Sequence, residues 1–305
     1  MLHFQAEPEV FISRQKCSLC QWHSSCYQEA KASNHLSLVP GVTPKRYESL
    51  KKVGLDSLEL IAQAGDRSSD KNLGKKVGQD IAKQLQQQAR SILLNTALIR
   101  ADFDLKKIYQ LPSADYELYF DIEAEPDRNL DYLLGILLVD RRNQTKKFYP
   151  FLAEEEDQEE RIWGEFIEFV NQYANAPIFH FSGYEVDTIR RLSGLYGTSH
   201  QQTKALLSRC VDVHHWVTKS VILPVESYSL KSLANWLGFE WRESTASGDQ
   251  SVCWYDNWLT TQDRALLDLI LRYNEDDCYA TFYLKDWLEK FFGEAQQNQV
   301  FQSKV

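Results

Sequence analysis

The chain has no hydrophobic run long enough to cross a membrane and no feature of a secreted protein. A spanning helix needs about 20 consecutive apolar residues, and no stretch of the 305 residues approaches that length. The first residues, MLHFQAEPEV, lack the basic and apolar segments of a secretory signal. The six cysteines are too few and too unevenly spaced for a disulfide scaffold. These absences predict a protein of the reducing cytoplasm with no membrane partner.

Positive charge is also scarce, but the shortage is confined to one part of the chain. The net charge is −9. Residues 1–110 carry 16 Lys and Arg against 11 Asp and Glu, whereas residues 111–305 carry 18 against 32. The first part therefore has an excess of positive charge and the second a large excess of negative charge. This is the direction expected if the first part contacts phosphate and the second binds cations.

Composition and periodicity divide the chain into four predicted regions. Residues 1–33 are short and cysteine-bearing, and residues 34–105 have the pattern of helices. Residues 112–292 combine strand and helix patterns, and the polar residues 293–305 predict a disordered tail. In the third region, the stretches LYFDIE, YLLGILLVD and KKFYPF are typical of three consecutive strands. Strands and helices alternate after them, which predicts an α/β fold with a mixed sheet flanked by helices.

The first of these strands carries two carboxylates beside its apolar residues. Residues two apart in a strand point to the same face, so Asp121 and Glu123 project together. Two like charges at this spacing repel each other unless a cation lies between them. The alternative is a strand end that emerges into water and leaves both acids solvated.

The final helix has an apolar face that includes one carboxylate. The face follows helical steps of four and three through Leu266, Ile270, Tyr273, Asp277, Ala280 and Leu284. Asp276 lies about 100° away and is predicted to reach solvent. A buried, unpaired carboxylate costs several kcal/mol, and a metal ion at Asp277 would remove that cost.

The helix that follows IFHFSG also turns one acid inward. Its apolar face runs through Glu185, Ile189, Leu192 and Tyr196. Asp187 falls on the polar side with Arg190 and Arg191, where helix ion pairs are the ordinary explanation. The pattern therefore predicts four inward acids from three elements. Oxygen ligands in this number suit Mg²⁺ or Mn²⁺, and two such ions about 4 Å apart serve phosphoryl displacement.

Three motifs in this part of the chain resemble those of a known nuclease family. FDIE, FHFSGYE and YNEDD, in this order, are similar to the three motifs of the DEDD 3′→5′ exonucleases of the ribonuclease H-like superfamily. The third motif has the Y-x3-D form of the tyrosine subgroup, and YSLKSLANWLGFEW and SVCWYDNWL resemble the YprB-like exonuclease domain. The family usually has Asp in its second motif, where this chain has Glu185.

The resemblance implies a fold, a reaction and a set of site residues. It implies a ribonuclease H-like hydrolase that removes nucleotides from the single-stranded 3′ end of DNA or RNA with two Mg²⁺ or Mn²⁺ ions. Asp121, Glu123, Glu185 and Asp277 would bind the metals and Tyr273 would orient the attacking water. Asp212 would be a supporting acid or, more simply, a loop acid, and His214 and His215 ordinary polar residues. The alternative is a catalytically degenerate nuclease fold that binds nucleic acid or serves as a scaffold.

The second region resembles a helix-hairpin-helix motif. HLSLVPGVTPKRYESLKKVGLDSLELIA has the form of a helix, a PGVT turn and a second helix. Such motifs bind nucleic acid through backbone N–H groups, here around Gly41 and Thr43, with Lys45 and Arg46 nearby. Thr43 stands where many such motifs have a second glycine. The alternative is a plain helical hairpin with a solvated basic face.

The cysteine-bearing region has the spacing C-x2-C-x5-C. Cys17, Cys20 and Cys26, with His23 between them, are compatible with a zinc site. CSLCQWHSSC also resembles the end of RecB-like nuclease domains, where such a triplet joins a distant upstream cysteine around an iron–sulfur cluster. No cysteine lies among the 16 preceding residues, so the expectation is a labile cluster or none.

The chain thus resembles the C-terminal part of a RecB-like fusion nuclease. A separate RecB-like nuclease or helicase chain is the partner that this resemblance implies. Cys210, Cys253 and Cys278 are predicted to be ordinary buried thiols.

Overall fold

The protein divides into two compact units. The computed structural model describes residues 9–13, 16–17, 20–64, 74, 77–243 and 246–302, apart from the side chains of residues 109 and 297–302. One unit spans Met1–Asp102 and Ser220–Tyr228, and the other spans Phe103–Lys219 and Ser229–Val305. Within the described residues, no helix is both long and apolar enough to cross a membrane.

The first unit is mainly helical. Its described elements are α1 (His23–Ala32), α2 (Pro44–Lys51), α3 (Leu58–Gln63), α4 (Gln79–Leu94), β1 (Leu98–Ile99) and β7 (Val221–Ile222). Its core includes Leu36, Leu50, Ile61, Leu85 and Ala89, all of which are fully or almost fully buried. The amphipathic helix α4 ends at Asn95, which adopts the left-handed conformation (φ +46°) that asparagine tolerates at a helix end.

A short return of the chain completes this unit. After Lys219 the chain leaves the second unit, and β7 pairs antiparallel with β1, Leu98 opposite Ile222. The Gln88 side chain donates to the Leu223 carbonyl over 2.6 Å, and Leu223 is completely buried. The predicted domain ranges did not include this return, because two-residue strands carry no periodic signal.

The second unit contains the mixed sheet that the sequence predicts. Its strands are β2 (Tyr116–Glu125), β3 (Leu130–Asp140), β4 (Thr145–Leu152), β5 (Ile178–His180) and β6 (Cys210–Asp212). Their order is β4-β3-β2-β5-β6. The first three run antiparallel, and β5 and β6 run parallel to β2. Every residue of the apolar strand β3 is buried.

Seven helices are described in the second unit. They are α5 (Glu159–Gln172), α6 (Tyr184–Leu195), α7 (His200–Leu207), α8 (Val213–Ser220), α9 (Leu230–Trp236), α10 (Gly248–Thr261) and α11 (Arg264–Gln302). Ser229 caps α9 by accepting from the Ser232 N–H. The main core combines the sheet with α5, α6, α10 and α11.

The final helix is longer than predicted. The sequence predicts a disordered tail over residues 293–305, whereas α11 continues to Gln302. Glu, Ala and Gln in this segment are good helix formers and no proline interrupts them. Phe292, the residue just before this segment, is almost fully buried. Its ring centroid lies 5.4 Å from that of Phe103, and this contact anchors the helix where the segment begins.

Candidate active site

Three carboxylates from two elements meet at one position in the second unit. Ligand oxygens of Asp121 and Glu123 on β2 and of Asp277 on α11 all lie within 4.8 Å of one another. Glu123 is buried and the other two are partly buried. The strand alternation and the helix periodicity predict this convergence, and the structure contains it.

Two contacts fix α11 along β2 so that these acids meet. At one end, the Lys285 ammonium donates to Glu117 over 2.8 Å, and both side chains are completely buried. At the other end, the Asn274 side chain donates to Asp121 over 2.7 Å. From the first contact to the second, the residue number falls along α11 and rises along β2, so the two elements run antiparallel. Four strand residues span roughly 13 Å and eleven helix residues roughly 16 Å, so both contacts form together and place Asp277 beside the strand acids.

Asn274 is a neighbour of the acids that the sequence analysis did not identify. Its Nδ2 lies 2.7 Å from Asp121 Oδ2 and 3.5 Å from Glu123 Oε1, and the side chain is completely buried. Its position in YNEDD, one residue after Tyr273, is the only sequence signal that could have suggested it. Asn274 lies against Gly135, a residue in the middle of β3.

Asp277 is held by two further donors. Trp241 Nε1 donates to Asp277 Oδ1 over 2.7 Å, and the Tyr273 hydroxyl also hydrogen-bonds this carboxylate. The Lys231 ammonium lies 5.7 Å from the centre of the Trp241 ring, and its charge lowers the pKa of Asp277. Trp241 was not predicted as a site residue, because the indole comes from a segment about 36 residues before Asp277 and only the folded chain brings them together.

Burial and mutual repulsion favour the neutral forms of these acids. Desolvation, then the charges of Asp277 and Glu123, raise the pKa of Asp121 well above its ordinary value. Desolvation and the charge of Asp277 raise the pKa of Glu123 to about 8. Desolvation raises the pKa of Asp277 to about 7, although its bonds to Trp241 and Tyr273 oppose the rise.

This donor set fits a divalent cation. Carboxylate oxygens are the ligands that Mg²⁺ and Mn²⁺ prefer, and three of them lie close enough to share one ion. A cation would replace the protons that the raised pKa values imply. Soft or nitrogen ligands are absent from the group of three, which favours these ions over zinc.

Glu185 is inward but separate from the group of three. It is buried near the start of α6, and its Oε2 lies 3.5 Å from His180 Nδ1. Neither atom has a hydrogen-bond partner among the described residues. Its charge contributes to the raised pKa of Asp121, so the two carboxylates are in electrostatic range. Desolvation raises the pKa of Glu185 itself, against the opposing effect of His180.

The phase predicted for α6 is confirmed. Asp187 is 76% exposed and pairs with Arg190 over 2.7 Å. Arg191, however, does not pair with Asp187 but with the buried Asp131 and with Glu159. These partners come from the start of β3 and the start of α5, and helix periodicity alone cannot reveal them.

Two other expectations need correction. Asp276, predicted to reach solvent, is buried and bound by the Arg242 guanidinium over 2.8 Å and the Arg242 backbone N–H. Cys253, predicted to be buried, is exposed, whereas Cys210 is partly buried and Cys278 is buried. The error at 253 arises because α10 turns that position outward.

The remaining acid and histidines of the RCVDVHHW stretch have ordinary positions. Asp212 Oδ1 accepts from the backbone N–H groups of Ser182 and His215, so this carboxylate caps the start of α8. The ring of His214 packs edge-on against Phe181 at 5.1 Å. His215 is exposed.

The predicted nucleic-acid-binding residues lie together in the first unit. Gly41 has φ +88°, which glycine adopts without strain. Thr43 caps α2 by accepting from the Arg46 N–H, and Arg46 Nη1 donates to the Gly41 carbonyl over 2.6 Å. Lys45 is exposed on the first turn of α2. The predicted first helix is absent from this position, where a short 3₁₀ turn (Leu36–Leu38) precedes the PGVT turn.

The predicted cysteine ligands do not form a gathered set in the part of the chain that the structure describes. Cys17 is partly buried and its sulfur accepts from the Ser13 N–H, Cys20 is exposed, and Cys26 lies in α1. Among the described residues, the acids at 121, 123 and 277 are the one group of three or more close metal-ligand side chains. Whether the triplet holds iron–sulfur or zinc stays a prediction.

Comparison with known proteins assigns the second unit to a family. No curated protein and no solved structure matches the chain. The family model of the RNase H superfamily matches residues 118–289, a range that includes β2 from Leu118 onward, the three gathered acids, Glu185 and Tyr273. The mixed five-stranded sheet flanked by helices agrees with that fold. Because the match covers more than half of its length, the chain belongs to the RNase H superfamily.

Proposed function

We propose that this protein is a metal-dependent 3′→5′ exonuclease that hydrolyses the phosphodiester bonds of nucleic acid. Membership of the RNase H superfamily supports nuclease activity and a nucleic-acid substrate. The observation that carries the proposal is the convergence of Asp121, Glu123 and Asp277 from a strand and a helix. Three carboxylates at such close range repel one another, and divalent cations would relieve that repulsion.

Asp121, Glu123, Glu185 and Asp277 would hold two Mg²⁺ or Mn²⁺ ions. When bound, such ions activate an attacking water and stabilise the leaving oxygen. Glu185 would complete the donor set from α6. Its side chain is one methylene longer than the aspartate that the resembling exonucleases have, which suits a carboxylate that lies outside the group of three.

The chain's own residues would orient the reactants. The Tyr273 hydroxyl, hydrogen-bonded to Asp277, would orient the attacking water. Trp241 and Asn274 would hold Asp277 and Asp121 in fixed rotamers. The Lys231 ammonium, whose charge already acts on Asp277, would add positive charge near a substrate phosphate.

The first unit would supply a second contact surface for the nucleic acid. Backbone N–H groups around Gly41 and Thr43 would contact phosphates, and Lys45 and Arg46 would add positive charge. The proposal also includes a separate RecB-like nuclease or helicase chain as the partner. The cysteine triplet would be a remnant of a RecB-like nuclease domain.

A second candidate function rests on the position of Glu185. Its carboxylate lies outside the group of three and faces His180. A fold whose fourth ligand does not reach the ions would bind nucleic acid without cutting it, as a binding or scaffold protein. This candidate predicts normal nucleic-acid affinity and no metal-dependent release of nucleotides.

Metal-dependent release of nucleotides distinguishes the two candidates. Purified protein is incubated with single-stranded DNA and with RNA of matched sequence, with Mg²⁺, with Mn²⁺ or with EDTA. The exonuclease proposal predicts mononucleotide release that needs the metal and stops in EDTA. Binding without release under all metal conditions would support the scaffold candidate.

A further inference from the structure

The amide of Asn274 satisfies the acidic cluster and leaves its own oxygen unsatisfied. Its Nδ2 group faces Asp121 at 2.7 Å and Glu123 at 3.5 Å. Its Oδ1 is buried and has no hydrogen-bond partner among the described residues. An unsatisfied buried acceptor costs about 1–3 kcal/mol. A leucine or alanine would avoid this cost, so fold stability alone does not account for an amide here.

The chain leaves a specific space for this amide. Gly135 lies directly opposite Asp121 in the β2–β3 ladder. A Cβ at position 135 would lie 1.7 Å from Asn274 Oδ1, 2.9 Å from Asn274 Cγ and 3.0 Å from Phe148. Glycine inside a strand lowers stability by about 0.5–1 kcal/mol relative to alanine. Two unfavourable features, the glycine and the orphaned oxygen, therefore occur at one contact beside the acids.

We propose that Gly135 and Asn274 form one positioning unit that fixes the carboxylates of Asp121 and Glu123 for a divalent cation. Gly135 supplies the space, and Asn274 supplies the N–H groups that bind one oxygen of each carboxylate. The second oxygen of Asp121 is left for the metal, whereas Glu123 is held by Asn274 together with the Ser251 side chain. Neither Gly135 nor Asn274 is a ligand, and neither contacts substrate. The inference rests on the proposed metal site and not on the direction of cleavage.

Neutral donors are suited to this task. A lysine or arginine in the place of Asn274 would pair with the carboxylates and compete with the cation. An amide holds the same oxygens without adding charge, so the attraction for a cation stays intact. Groups that orient metal ligands in this way typically change metal affinity by about 10–100-fold when they are removed.

Four variants of the full chain test the unit: Asn274→Ala, Gly135→Ala, the double variant Gly135→Ala/Asn274→Ala, and Gly164→Ala as control. Gly164 is an exposed helix glycine whose added Cβ would meet nothing within 4 Å. The readouts are Mn²⁺ affinity, from the electron paramagnetic resonance signal of free Mn²⁺, and the metal-free melting temperature. Neither readout depends on nuclease activity.

The unit predicts a distinct pattern. Asn274→Ala and Gly135→Ala each weaken Mn²⁺ binding by about 10–100-fold, whereas Gly164→Ala binds Mn²⁺ like the wild type. Gly135→Ala lowers the melting temperature of the wild type. The same substitution lowers the melting temperature of Asn274→Ala by less, because the shorter alanine side chain at position 274 leaves room for the new methyl group. The double variant binds Mn²⁺ about as weakly as Asn274→Ala.

Each contrary outcome has a separate meaning. Wild-type Mn²⁺ affinity in folded Asn274→Ala overturns the inference and leaves the proposed function standing. Equal destabilisation by the Gly135 substitution in both backgrounds overturns the steric pairing. A wild-type protein that binds no Mn²⁺ overturns the proposed function and this inference with it. If Gly135→Ala does not fold, Asn274→Ala and the double variant still decide.

Discussion

At the scale of single residues, the site consists of carboxylates of like charge and of uncharged side chains that hydrogen-bond them. The three gathered carboxylates are supported by an indole, a phenol and an amide, none of which carries charge. Such partners orient a carboxylate without neutralising it. The carboxylates therefore tend to bind protons in the metal-free protein and a cation when metal is present.

The first prediction concerns the gathered acids. Asp121→Asn and Asp277→Asn should each lower Mg²⁺-dependent nucleotide release by at least about 10³-fold, equivalent to about 4 kcal/mol of transition-state stabilisation. Both should unfold at a higher temperature than the wild type in EDTA, because each removes repulsion. About 1 kcal/mol would raise the melting temperature by roughly 2–4 °C. The control is Asp268→Asn, at an exposed position of the same helix; cleavage by either site variant at the wild-type rate would exclude the assignment.

The second prediction separates two acids of α6. Glu185→Gln should lower the rate of nucleotide release by at least about 100-fold, since it removes a proposed ligand charge from the site. Asp187→Asn should change the rate less than about twofold, because Asp187 is exposed and pairs with Arg190. Initial rates at saturating short single strands measure both. The opposite ranking would show that Glu185 is a structural acid.

The third prediction concerns pH. The pKa of Glu123 is raised from 4.5 to about 8 and that of Asp277 from 3.8 to about 7. Native metal-free protein therefore holds protons that the unfolded chain releases, and its unfolding free energy falls as the pH rises through this interval. Asp277→Asn lacks one of these titrations. Its melting temperature in EDTA, relative to the wild type, should rise between about pH 4 and pH 7; a constant difference would contradict the assigned shifts.

How far the sequence predicts the site depends on whether a residue carries a local pattern. The i,i+2 spacing of Asp121 and Glu123 and the helical phase of Asp277 are local, and both led to the right positions. Asn274 and Trp241 carry no such pattern, because an amide and an indole are common in cores and surfaces alike. Only the packing of α11 against β2 and of residue 241 against α11 shows what they contact.

At the scale of elements, segments with a clear local pattern were predictable and segments without one were not. The strands β2, β3 and β4 and the helix α11 have apolar runs or periodic apolar faces and were predicted from them. The two-residue strands β1 and β7 pair across more than 120 residues of chain, so neither has a local signal. Helices α7, α8 and α10 were not predicted either, since their apolar residues are mixed with polar ones.

The return of β7 changes how the first unit can be tested. Removing residues 1–105 would delete β1 and α4, which cover Val221, Ile222 and Leu223. These three side chains are almost fully buried, so their exposure would cause aggregation. Point substitutions on the hairpin avoid this defect.

The fourth prediction follows for the hairpin. Lys45→Ala should weaken binding of single-stranded nucleic acid and make the plot of log affinity against log salt concentration shallower by about 0.7. The rate of nucleotide release at saturating substrate should not change. Lys204→Ala, an exposed lysine of α7 in the other unit, is the control and should change neither quantity. An unchanged salt slope in Lys45→Ala would make the hairpin a structural element only.

At the scale of the whole molecule, the chain forms two units and its charge is unevenly distributed along the sequence. The basic excess lies in residues 1–110 and the acidic excess in the rest. The chain passes between the units three times, after Asp102, Lys219 and Tyr228. Domain ranges drawn from composition missed the last two crossings, because a nine-residue excursion hardly changes the local composition. The charge division agrees with phosphate binding by one unit and cation binding by the other.

The most direct test of the central claim is the order in which labelled products appear. Single strands labelled at the 5′ end are incubated with the wild type and with Asp121→Asn, in Mg²⁺ and in EDTA, and the products are resolved to single nucleotides. We predict that the wild type in Mg²⁺ produces a ladder that shortens one nucleotide at a time from the 3′ end, and that the variant and the EDTA sample leave the strand intact. Immediate release of the 5′ label, internal cuts, or equal cleavage by Asp121→Asn would contradict a metal-dependent 3′→5′ exonuclease at this site.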